Sequence, residues 1–439
     1  MSGAARSSEV LQERPRWGAL VTLFFAPAFI FANMYTTQAI LPVLGQAFHV
    51  SAPTAGLTVS LLVLAVAIGS LFYGPLSDRV GRKPVMVGIS FLVIVPTLLC
   101  GLAPNFSVLV VLRSMQGLLM PGLTSVAIPY VNEEFAGKGR GMAMGVYVSG
   151  LTLGGLFARV GSAALAGIYN WRIALLAFAI PTLIAALAMW RFLPETKGRE
   201  VRGVSSLHGR DKSGSHDKSG YLPPRQGAYA PGIASLAVYG QFAKNIMDGE
   251  FFRQTLHDMA LHWHNRRLVG AFIIGFTLFF GFIGTFTYLP YYLTGPHFRL
   301  PTVALSLVYL LWLTGVFSPA AGTLAGRIGS RRAIVFSMGL AATGLLITLI
   351  PLLPVVIFGL GLLALGMFAT VPAVNLYLGE QATTAKGAAA SVYLSRYYFG
   401  GSFGAVLPGL ALVWAGWSGV VLLCLGMVLV AIAADIALC

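Results

Sequence analysis

The chain has 439 residues, 57% of them apolar and 10% charged, where soluble domains carry about a quarter charged. That excludes a water-soluble globular protein. The net charge of +15 would suggest nucleic acid or another acidic partner in a soluble chain, but here its placement follows a membrane: no Asp, Glu, Lys or Arg occurs over 17–77, 84–112, 114–132, 268–298, 300–326, 333–379 or 397–434.

A membrane helix needs about 20 apolar residues. Dividing the long intervals at their Gly, Pro and Asn turns predicts twelve spans, at 18–43, 54–76, 84–102, 107–130, 140–165, 173–193, 268–292, 302–325, 333–352, 355–378, 387–409 and 412–434. Arg6, Arg14 and Arg16 ahead of the first apolar run resemble a secretory signal, but the run is too long for a cleaved peptide and reads as a first helix.

Lys and Arg near spans collect on the cytoplasmic side. The amino terminus holds three; the second connection holds Arg79, Arg82 and Lys83, and the fourth Lys138 and Arg140. Arg191 and eleven more, from Lys197 to Arg267, mark the sixth. Arg327, Arg331 and Arg332 lie in the eighth and Lys386 in the tenth, which puts 24 of 29 basic residues on one side. The expected arrangement is a multi-pass protein of the plasma (inner) membrane with both termini cytoplasmic.

The domain plan that follows is a terminus over 1–17, a six-helix half over 18–193, a basic linker over 194–267 and a second half over 268–439. The linker repeats Asp-Lys-Ser-Gly and contains Pro223, Pro224 and Pro231, as a flexible tether does. Its later part, about 234–266, patterns as an amphipathic surface helix. Cys100, Cys424 and Cys439 have neither a disulfide framework nor a metal spacing.

The halves repeat one plan. Residues 141–158 lie over 387–404 with eight of eighteen positions identical, among them Tyr147, Gly154 and Gly155, and 74–84 lie over 322–332 with identities at Gly74, Leu76, Arg79 and Gly81. Two such halves are the parallel repeat of a secondary transporter, with the binding site near the midplane between them.

Gly74-Pro-Leu-Ser-Asp-Arg-Val-Gly-Arg-Lys-Pro84 resembles the signature loop between helices two and three of the major facilitator superfamily (MFS). Arg113-Ser-Met-Gln116-Gly117 resembles the helix-four element of its drug:proton antiporter branch, and Gly150-Leu-Thr-Leu-Gly154-Gly155 the helix-five element, with Leu151 where that pattern has proline. The resemblance implies the MFS fold, an all-α membrane protein of twelve helices in two pseudo-symmetric bundles. It also implies alternating access and proton-coupled efflux of a small solute, in the drug or sugar efflux manner. In that family the loop carrying Gly74, Asp78, Arg79, Gly81 and Arg82 latches the cytoplasmic side, and Arg113 faces the cavity. The second-half copy has Gly326 in place of Asp78, so such a latch is one-sided.

Ionisable residues inside the membrane mark function by default. Arg113, with Gln116 one turn on, and Arg396 in helix eleven are the candidates; Arg159 lies close enough to the predicted end of helix five for its side chain to reach the headgroups. Asn33, Thr37 and Gln38, Tyr288 and Asn375 supply hydrogen bonding for a substrate or proton cavity, and Gly150, Gly154 and Gly155 supply close packing or a hinge. No Asp or Glu lies deep in any predicted span. A neutral polyhydroxy or anionic substrate, such as a sugar or organic acid, is therefore expected over a lipophilic cation. The chain offers no phosphate-binding loop and no catalytic cluster, and His257, His262 and His264 read as surface histidines. No enzyme activity, cofactor, metal or nucleic acid is expected; the partners are a small-molecule substrate, protons and the bilayer, and the unit is a monomer. Proton-linked uptake and a transport-inactive sensor are the alternatives.

Overall fold

The computed structural model describes residues 17–135, 139–194, 265–381 and 386–439. The side chains of Asp78 and Arg79, the amphipathic stretch proposed in the linker and its three histidines lie outside the described residues. All regular structure among the described residues is helical, and its elements group into twelve rods. α1 is broken, running over Trp17–Ala32 and resuming over Gln38–Phe48. The rest of the first half is α2 (Ala52–Val80), α3 (Arg82–Gly101), α4 (Phe106–Glu134), α5 (Gly139–Ile168) and α6 (Trp171–Phe192). The second half is α7 (Arg266–Thr294), α8 (Thr302–Ile328), α9 (Ser330–Ile347), α10 (Leu353–Gln381), α11 (Lys386–Gly404) and α12 (Leu407–Leu438). Ten of these are long and apolar enough to cross a membrane; the others are α1, divided by its break, and α11, which carries Lys386 and Arg396.

Three predicted boundaries need correction. The first span is two helices joined by a turn at 33–37. α11 stops at Gly404 and α12 begins at Leu407 instead of 412, because Pro408 suits a first turn whose missing N–H has no intrahelical partner anyway. α5 runs to Ile168, three residues beyond expectation. Side-chain caps fix several starts: Ser51 accepts from the Thr54 N–H, Asn105 from Val108 and Asn170 from Ile173. Each satisfies a donor that the first helical turn leaves open.

The repeat read in the sequence is present in the packing. In the first half α1 lies on α5 and α6, α2 on α4, and α3 on α4 and α6; in the second half α7 lies on α11 and α12, α8 on α10, and α9 on α10 and α12. Gly154 packs so closely on α1 that a Cβ would overlap the Ala28 carbonyl, and its echo Gly400 does the same to the Phe276 carbonyl on α7. The turns after α2 and α8 match in conformation: Gly81 has φ 101° and Gly329 has φ 93°, a region open to glycine.

The halves meet where α2 packs on α11 and α5 on α8, a pair of contacts that the same pseudo-symmetry interchanges. Ser60 Oγ lies 3.1 Å from Ser402 Oγ, and Gly167 faces Val303. These residues sit toward the loops opposite the basic ones. An apolar cleft of about 420 Å³, lined by Thr314, Phe317, Ser318, Leu324, Leu365 and Phe368, runs instead along the basic-loop half of α8 and α10. Large apolar side chains such as Leu99, Leu102, Ile180, Ile184 and Phe336 cover the outside, as lipid contact requires.

Candidate functional site

The break in α1 organises the molecule's centre. Leaving the helical path at 33–37 frees backbone carbonyls that hydrocarbon cannot satisfy. Arg113, 1% exposed on α4, fills that role. Its Nη1 donates to the Asn33 carbonyl at 2.6 Å, to Thr36 Oγ1 at 3.3 Å and to Gln116 Oε1 at 2.8 Å; Nη2 donates to the Met34 carbonyl at 3.0 Å and Thr37 Oγ1 at 3.1 Å, and Nε to the Thr58 carbonyl at 3.4 Å. The carbonyl end of the first half-helix carries the negative end of its dipole, which suits the cation. Around it Gln116 donates to Thr97 Oγ1 at 2.8 Å, Thr97 to Asn33 Oδ1 at 3.3 Å and Asn33 to Thr182 Oγ1 at 2.9 Å. Asn33, Thr37, Arg113 and Gln116 are thus brought together, as a closed network that spends their polar atoms on one another.

The other side of the same turn faces a second arginine. Arg159 is 0% exposed; it lies nine residues before the end of α5, about 13 Å at the helical rise, near the middle of a hydrocarbon core about 30 Å thick. The expected reach to the headgroups is therefore corrected. The guanidinium packs on two rings set edge-to-face to each other, its carbon 3.8 Å from the Tyr35 centroid and 3.5 Å from that of Trp312, with Tyr309 at 5.8 Å. Nε donates to Gln38 Oε1 at 2.8 Å and Nη1 to the Gly155 carbonyl at 2.7 Å. Gln38 in turn donates to Thr287 Oγ1 at 2.8 Å on α7. Arg159 Nη2 and Trp312 Nε1 are buried without a hydrogen-bond partner. This cluster joins α1 and α5 of one half to α7 and α8 of the other.

The remaining expected residues are dispersed. Tyr288 is buried and donates to the Ala405 carbonyl at 2.6 Å, Asn375 is exposed on α10, and Arg396 is half-buried on α11. Gly150 and Gly154 are α1 contacts, while Gly155 faces Trp312 and Arg159. In the basic loop Gly74 has open space, Gly81 makes the turn, and Arg82 holds Glu133 at the end of α4 through Nε and Nη2, each 2.6 Å, with Ser77 Oγ at 3.1 Å. In the second half Ser330 stands at the place of Arg82 and donates to Glu380 at 2.9 Å.

Sequence reasoning missed Tyr35, Tyr309, Trp312 and the weight of Arg159. The depth of Arg159 was the available signal, had helix five been carried to its true end. No pattern in α8 marks Trp312 apart from other aromatic residues in membrane helices.

The structure resembles solved transporters over nearly its whole length. It matches a bacterial homologue of the human lysosomal transporter Spinster in its inward-facing, unoccupied conformation at a TM-score of 0.69 and 15% identity, covering 96% of this chain and 95% of that one. It matches the nucleoside transporter NupG at 0.68 and 14%, covering 96% and 99%. In sequence it is 32% identical over 401 residues to the inner membrane transport protein YnfM of Escherichia coli (strain K12), covering 91% of this chain and 85% of the relative. It is 30% identical over 425 residues to the uncharacterized MFS-type transporter YybF of Bacillus subtilis (strain 168), covering 95% and 93%. The family model of the Major Facilitator Superfamily matches residues 23–393. With a duplicated six-helix plan, halves joined through α2, α5, α8 and α11, and this family match, the chain belongs to the Major Facilitator Superfamily as a multi-pass membrane transporter and not an enzyme.

Proposed function

We propose that the chain works by alternating access as a monomeric exporter of a small solute (a sugar, organic anion or drug-like compound) in exchange for protons across the plasma membrane. Its basic loops and both termini would face the cytoplasm, the 194–267 linker tying the halves 18–193 and 268–439 together on that side. The observation that carries this reading is the cluster of Tyr35, Gln38, Arg159, Thr287 and Trp312, contributed by both halves. A solute held there touches both bundles, so its binding free energy differs between their two arrangements, which is what coupling to a conformational change requires. The contacts at Ser60–Ser402 and Gly167–Val303 lie at the ends of the helices away from the basic loops; with those loops cytoplasmic, the arrangement is inward-facing. Efflux and proton coupling are supported by the resemblance of the Arg113–Gly117 and Gly150–Gly155 elements to the antiporter branch. The loop of Gly74, Asp78, Arg79, Gly81 and Arg82 serves as the cytoplasmic latch.

Reconstitution into liposomes tests it. Preloaded vesicles should show counterflow of an organic acid or sugar, accelerated by a pH gradient directed for exchange. Accumulation along the proton gradient would make the chain an uptake permease instead, and a purified protein that moves no member of a panel of sugars, organic acids and dyes would be a sensor.

A further inference from the structure

Two buried hydrogen-bond donors in one stacked pair have no acceptor. The guanidinium of Arg159 lies 3.5 Å over the Trp312 ring, and both Arg159 Nη2 and Trp312 Nε1 are unpartnered. Each such group left unsatisfied in an apolar interior is costly, and a guanidinium away from water and from any carboxylate attracts an anion strongly. Gln38, the nearest side-chain amide, accepts from Arg159 Nε through Oε1 and donates to Thr287 through its nitrogen, and reaches neither Nη2 nor Trp312 Nε1. Tyr35 lies 3.8 Å from the same guanidinium carbon, its ring edge-on to that of Trp312 at 5.6 Å, which leaves Nη2 and Trp312 Nε1 as the two donors open to a ligand.

We infer that the Arg159–Trp312 pair is the anchor for a single carboxylate of a substrate whose body is apolar. One carboxylate offers two oxygens, one for each orphaned donor, and its charge balances one guanidinium. The surroundings set the rest of the molecule: Phe282, Phe286 and Phe368 lie 4.7, 5.8 and 5.5 Å, centroid to centroid, from Trp312. A second charge among those rings would be left unpaired, so dicarboxylates are disfavoured, as are neutral sugars that leave the cation uncompensated. Phe368 also lines the apolar cleft along α8 and α10, which places that cleft next to the anchor. This inference rests on the carrier reading and narrows its substrate to monocarboxylates.

The test is calorimetric titration of the full-length protein in detergent with benzoate, benzamide and succinate, beside counterflow of a sugar, organic acid and dye panel in liposomes. Benzoate should bind saturably, and benzamide and succinate at least about tenfold more weakly. Trp312→Phe keeps the ring and removes only the donor; it should weaken benzoate about five- to tenfold, the worth of one hydrogen bond, and leave benzamide unchanged. Arg159→Gln should abolish saturable benzoate binding. Equal binding of benzoate and benzamide, wild-type benzoate affinity in Trp312→Phe, or no benzoate binding overturns the inference. If another solute is moved while benzoate does not bind, the inference falls and the carrier stands; if benzoate binds with this dependence but nothing is moved, the carrier reading falls alone.

Discussion

Arg113 and Arg159 lie on opposite sides of one non-helical turn, both sealed from solvent and neither facing a carboxylate deep in the membrane, yet they are held in different ways. Every donor nitrogen of Arg113 has a protein acceptor, two of them carbonyls of the turn itself, so the residue completes the backbone. Arg159 is held by two rings and two hydrogen bonds and keeps one nitrogen unpaired. Burial of a cation therefore does not by itself mark a binding group; the unpaired donor does.

The comparison breaks most readily at Arg113. Arg113→Leu takes the donor from the Met34 carbonyl and leaves the Asn33 carbonyl and Gln116 Oε1 only Thr36 Oγ1 at 3.2 Å and Cys100 Sγ at 3.8 Å, and should cost about 3–5 kcal/mol of stability, as removal of one member of a buried polar network does. Thermal unfolding in detergent measures it, and a loss below about 1 kcal/mol would show that the turn holds its shape unaided. Next come the glycines that set helix spacing. Gly154→Leu and Gly400→Leu insert a side chain where even a Cβ meets a neighbouring carbonyl, so each should destabilise by about 1–3 kcal/mol or more. Equal losses in the two would confirm that α1–α5 and α7–α11 are equivalent joints.

Arg159→Lys sharpens the contrast. Lysine keeps the charge but loses the flat guanidinium stacked on Tyr35 and Trp312 and its second hydrogen bond, for about 1–2 kcal/mol of stability. Its effect on transport should exceed its effect on melting, the reverse of Arg113→Lys. Parallel counterflow and unfolding measurements on the two variants decide this, and matching ratios would place both arginines in the framework.

Most of the architecture was legible from where charge is missing, because hydrocarbon penalises charged side chains so steeply that 333–379 and 397–434 could only be paired spans. The repeat was legible too, through glycines such as Gly81 and Gly329 that serve backbone conformation and so leave little freedom of residue type. The α1 break was not. Asn33, Thr36, Thr37 and Gln38 read as cavity polarity; the first three accept hydrogen bonds at the turn from Arg113, about 80 residues away in the chain, while Gln38 links Arg159 to Thr287. Arg159 was misjudged for a related reason: its depth depends on where α5 ends, and its partners Tyr35 and Trp312 come from two other helices.

The smallest expected effect on stability lies at the basic loops, where the halves differ again. Arg82 forks onto Glu133 at the end of α4, with side chains 13% and 44% exposed, while Ser330 makes one hydrogen bond to Glu380 at the corresponding place on α10. Solvent screening limits such a partly exposed pair to about 0–1 kcal/mol, so Arg82→Ala should barely change unfolding. Its consequence is expected in transport rate, because the fork ties the turn after α2 to the end of α4 and so sets how the first half moves as a body. The double variant Arg82→Glu with Glu133→Arg restores the attraction with the charges exchanged; it should recover the rate lost in Arg82→Ala, and Ser330→Ala should lose less than either single change. If exchanging the charges rescues nothing, the rate depends on the sign of the charge at 82, as a topology-setting basic turn requires, and not on the bond.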